Sequence, residues 1–209
     1  MIETVALIIV GWLLGLLAPT IVDSIRKDYQ KKNIQTSINS ELKDIQYRLG
    51  CFVFLINRRF GIFDRQLLIW ISKIFNTYRG AYYDKKLLEA LESQLRLSDE
   101  ELSNIGIIIR PAGSEFLPLS KSTTYFLDSH IGNLLMFSPN YQSKIIEIKT
   151  QLDLLNDLVE NSRLYFRMTF DQSIGTDNQN IVRKNLERCY ASIADKAKTI
   201  ADSIDNCIK

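Results

Sequence analysis

Hydrophobic positions along this chain follow three patterns. Residues 4–22, TVALIIVGWLLGLLAPTIV, run nineteen positions without a charge. From residue 24 onward apolar residues recur every three or four positions, the period of helices with one buried side. Between residues 105 and 119, IGIIIRPAGSEFLPL, that period breaks.

The first pattern predicts a membrane-spanning helix. At a rise of about 1.5 Å per residue, nineteen residues reach roughly 28 Å, close to the hydrocarbon thickness of a bilayer. Eleven Ile, Leu or Val side chains between Val5 and Val22 favour insertion by roughly 3–7 kcal/mol. Gly11 and Gly15 form a G-x-x-x-G, the spacing that lets two helix backbones approach closely, so they are the candidates for membrane-helix association. Trp12 sits mid-span, and Pro19 is placed to kink the helix one turn from its end. The basic flank, Arg26, Lys27, Lys31 and Lys32, follows the apolar run. By the positive-inside rule this predicts a single-pass protein of the inner or plasma membrane, N-terminus out, with residues 1–23 as the anchor and 24–209 as one cytoplasmic domain. The rival reading is a cleaved signal peptide. Glu3 stands where that reading needs basic residues.

The second pattern predicts a helical bundle. Ile38, Leu42, Ile45, Leu49, Phe52 and Ile56 are spaced 4-3-4-3-4 on a helix over about 24–59 that continues from the anchor. Residues 51–71 contain twelve Ile, Leu, Val or Phe but also Arg58, Arg59, Asp64 and Arg65. Four central charges cost roughly 10–14 kcal/mol, so a second span is rejected in favour of a break near Gly61 and a helix over 64–78. That helix either packs in the core or lies at a lipid interface. Asp84 is placed to cap a short helix, and Ser98 with Glu101 forms a capping box.

The stretch 105–119 reads as a short extended or hairpin excursion, either a recognition loop or a connection whose isoleucines plug the bundle. A helix over 122–137 follows, with Phe126, His130, Leu134 and Phe137 on one face. His130, the chain's one histidine, reads as a satisfied core residue. Ser138-Pro139 starts a long helix to about residue 171, lined by Tyr141, Ile145, Ile148, Leu152, Leu155, Val159, Ser162 and Phe166 and widened by Leu154, Leu158 and Tyr165. After a turn at 175–178, a last helix carrying Val182, Leu186, Cys189, Ile193, Ala197, Ile200 and Ile204 should fold back antiparallel. The expected fold is therefore all-α: one membrane helix, then an antiparallel bundle.

Composition narrows the function. A formal net charge of +2 argues against a general nucleic-acid binder. Cys51, Cys189 and Cys207 are too widely spaced for a disulfide framework or a zinc site. No Gly-rich phosphate loop, C-x-x-C or G-x-S-x-G occurs, so no cofactor, metal or catalytic residue is expected. Arg163 and Arg167, interleaved with Tyr165 and Phe166, are the one candidate contact for an anionic partner, against a bland role as surface residues beside the core stripe. The expectation is a membrane-anchored, non-enzymatic interaction protein. Its partners are the lipid bilayer and either further copies of itself or another protein. The alternative is a membrane-acting effector of the bacterial toxin or anti-phage type that oligomerises and disturbs the bilayer.

Overall fold

A 59-residue helix, α1 (Ile2–Phe60), is the axis of the molecule. The computed structural model describes residues 2–109 and 117–208, with side chains left out at 2–10, 13, 14 and 109. After α1 come α2 (Arg65–Thr77), α3 (Lys85–Leu95), α4 (Asp99–Ile109), α5 (Tyr125–Ser129), a 3-10 helix (Ile131–Met136), α6 (Pro139–Met168) and α7 (Thr176–Ile208). The described residues are all-helical, with no strand among them.

Long-range hydrogen bonds set the directions. Lys144 reaches the carbonyl of Asn206, Lys196 reaches Gln151, and the Cys189 thiol donates to the carbonyl of Leu158. As α6 advances its partners on α7 recede, so the two run antiparallel. Gln46 donates to the Ala201 carbonyl and Arg59 lies over the Tyr190 ring, which makes α1 antiparallel to α7 as well. Trp70 and Lys73 bond Asp202 and Asp205, so α2 runs parallel to α7. The core lies between these four helices. Ile38, Leu42, Ile45 and Leu49 of α1 are fully buried, as are Leu155 of α6 and Ile193 and Ile204 of α7. Each such side chain contributes about 1.5–3 kcal/mol by leaving water. The antiparallel bundle read from the 3-to-4 spacing is thus present, and Asp64, Asp84, Ser98 and Ser138 stand at the helix starts expected of them.

Four expectations change. The first is the single-pass membrane location. Among the described residues no helix is long and apolar enough to cross a membrane. The apolar run ends at Val22. Asp23, Arg26, Lys27 and Asp28 then follow on the same unbroken helix. The side chains of 4–10, 13 and 14, on which the expectation also rested, lie outside the described residues.

Second, residues 105–109, the first third of the 105–119 excursion, are helical, as the end of α4. The capping box closes in both directions, with Ser98 N–H on Glu101 at 2.7 Å and Glu101 N–H on Ser98 Oγ at 3.2 Å. Burial of Leu102 beyond that start outweighs the strand preference of three isoleucines. Residues 110–116 lie outside the described residues.

Third, the helix over 122–137 splits. Ser122 is held out of it by a two-way bond with the Asn156 side chain, 2.8 Å each way. At its centre Ser129 Oγ and His130 Nδ1 both take up the Phe126 carbonyl, a competition of side chain with backbone that ends α5. Fourth, Leu154 does not widen the buried stripe of α6 but is 47% exposed.

Candidate functional site

The exposed part of α1 is the feature that the bundle does not account for. From Gly11 to Gln30 every residue whose side chain is described is exposed, and Ile34 is the first buried one. This arm carries Trp12, Leu16, Leu17, Ile21, Val22 and Ile25 on its surface, with Trp12 65% and Val22 60% exposed. At 100° per residue these six point to all sides of the helix, not to one stripe. Gly11 and Gly15 stand in open space, and a Cβ added at either would meet nothing within 4 Å.

The basic residues after the arm diverge. Lys27 and Lys32 are exposed. Lys31 turns inward, its ammonium 5.9 Å from the centre of the Phe137 ring. Arg26 lines a cleft between α1 and the 3-10 helix, opposite His130. The expected pair, Arg163 and Arg167, have different surroundings. Arg163 donates to the carbonyl of Leu119 at 2.9 Å and lies 3.8 Å from Glu160, so it latches the 117–124 segment to α6. Arg167 is exposed in the last turn of α6.

Titratable groups inside the bundle are masked by burial. Burial pushes the Cys51 thiol up to about 11 and the Tyr47 hydroxyl up to about 12. Tyr47 stacks on Tyr78 at 4.3 Å, and Tyr78 donates to Asp44 at 2.7 Å. Among the described residues no group of His, Cys, Asp or Glu is arranged to hold a metal ion. The cavity walls near α4 are self-satisfied: Arg65 bonds Asp99 at 2.7 Å and the carbonyls of Leu95 and Leu97. Sequence reasoning passed over the polar stripe Arg26, Gln30 and Asn33. It is visible at i, i+4 and i+7, but the basic residues around it suggested only a flank.

Comparisons of the chain with protein-family models, with curated proteins and with solved structures found no match.

Proposed function

We propose that this chain is a non-enzymatic helical interaction protein that assembles with further copies of itself through the α1 arm. One observation carries this reading: an arm with exposed apolar residues on every side of the helix. A helix apolar all round is stable only when several neighbours cover it, and one partner surface leaves half of it in water. Arms from several copies supply neighbours of matching length and chemistry. The open glycines Gly11 and Gly15 permit close approach in such a cluster. The bundle is then the body that the assembled arms present.

Sedimentation of the full chain tests this. The expected mass is a multiple of 24.1 kDa. The double substitution Leu16→Glu and Ile21→Glu alters only exposed positions and should return the single-chain mass with the same helical content. A wild-type chain that stays single at every concentration, or a double variant that keeps the multiple, overturns the reading.

A further inference from the structure

We infer that the cleft at the foot of the α1 arm is a binding site for a small phosphate ester. Its volume is about 500 Å³, within the ordinary range of small-molecule sites. One wall is a single face of α1, where Arg26, Gln30, Asn33 and Ile34 follow at helical spacing. The other wall is His130 and Asn133. These two are three apart at the start of the 3-10 helix, where three residues make one turn and side chains eclipse, so both fall on one side.

The lining is rich in donors and contains no carboxylate. Among the described residues the side chains of Arg26, Gln30, Asn33 and Asn133 make no hydrogen bond or ion pair within the chain, although Asn133 is half-buried. That sets Arg26 apart from Arg65 and Arg163, whose guanidiniums are committed to carbonyls and acids.

His130 is held for a role here. Ser129 Oγ gives its hydrogen to the Phe126 carbonyl at 2.8 Å, and His130 Nδ1 lies 2.8 Å from that oxygen and 3.0 Å from the same carbonyl. The Phe126 carbonyl can only accept, so an Nδ1 bonded to it carries the hydrogen and leaves Nε2 as the accepting nitrogen. Stacking on the Phe126 ring at 4.1 Å fixes the imidazole plane. A guanidinium and three amides offer more donors than the two oxygens of a carboxylate can take. The three terminal oxygens of a phosphate ester suit that set, and Nε2 can accept from the ester's own P–OH.

The chain has one histidine, so its imidazole resonance reports this cleft alone. Glycerol phosphate titrated into the full-length chain, with sodium chloride matched for ionic strength, is the experiment. Expected is a saturable shift of that resonance at millimolar ligand, with Arg26→Gln weakening the affinity about tenfold or more through a lost charge-assisted pair. Asn133→Ala should weaken it by a smaller factor, and Arg167→Gln should leave it unchanged. A shift that never saturates, one that sodium chloride reproduces, or one that survives Arg26→Gln unweakened overturns the site. Arg26 is exposed, so its replacement leaves the fold intact.

Discussion

Glu41 of α1 accepts the backbone N–H of Phe126 at 2.9 Å on one carboxylate oxygen and that of Leu127 at 2.9 Å on the other. A carboxylate 85 residues upstream thus caps α5, whose own Thr124 makes no side-chain cap to the helix. The position of His130 and Asn133 follows from that cap, because the 3-10 helix continues directly from α5.

Glu41→Ala should therefore destabilise the chain by about 1–2 kcal/mol, the cost of an N-cap left unfilled. Glu41→Gln keeps one acceptor and should fall between. Urea denaturation checks both. Amide hydrogen exchange should quicken over 122–137 in the alanine variant and not in α6 or α7.

The crossing of α4 over the end of α1 depends on two glycines. A Cβ at Gly106 would sit 2.5 Å from the Gly61 carbonyl oxygen, and that oxygen is backbone. Gly61 itself has φ 70°, in the left-handed region. Gly106→Ala should cost about 1–3 kcal/mol by overpacking and Gly61→Ala about 1–2 kcal/mol by strain. Gly132→Ala meets nothing within 4 Å and should be neutral or stabilising by up to about 1 kcal/mol. Thermal melts of the three variants separate these outcomes.

The thiols should be inert while the chain is folded. Burial raises Cys51 from 9.0 to about 11, and burial also raises Cys189 and Cys207. At pH 8 the Cys51 thiolate is then about a hundredfold scarcer than for a free thiol. Iodoacetamide labelling followed by mass should be slow in buffer and complete in denaturant. Rapid labelling of Cys51 in the folded chain would contradict its burial.

The Asp128–Lys149 pair ties α5 to α6 at 2.7 Å. The bond from Lys149 holds the Asp128 carboxyl below the usual aspartate range, with a further bond from Thr124. A depressed carboxyl contributes stability above its unfolded pKa and loses it as pH falls through the folded one. Asp128→Asn should lower Tm at neutral pH, and the gap to the wild-type chain should close below about pH 4. Asp128 is half exposed, so the gap should stay under about 1 kcal/mol. A gap that persists unchanged at acid pH would rule out the ion pair as its source.

The helices of the bundle were legible in the sequence because their information is local. Ile145, Ile148, Leu152, Leu155 and Val159 recur at the helical period and are buried where that period puts them. Caps at Asp64, Asp84, Ser98 and Ser138 are likewise decided within four residues, by a side chain reaching the next turn's N–H. Leu154 shows the limit of the pattern, since an apolar residue at a flanking position is covered only if a neighbour lies there.

Tertiary structure decided what depends on distant residues. Asn156 holds Ser122 out of the helix expected over 122–137, and Glu41 starts α5 three positions later. Nothing near residue 122 encodes either partner. The same holds for the cleft: Arg26, Gln30 and Asn33 share a face by local spacing, but only folding sets His130 and Asn133 against them. Residue spacing determines which side chains share a face of a helix. Which face meets which is settled by contacts between segments about a hundred residues apart, whose closure entropy depends only weakly on the chain between them.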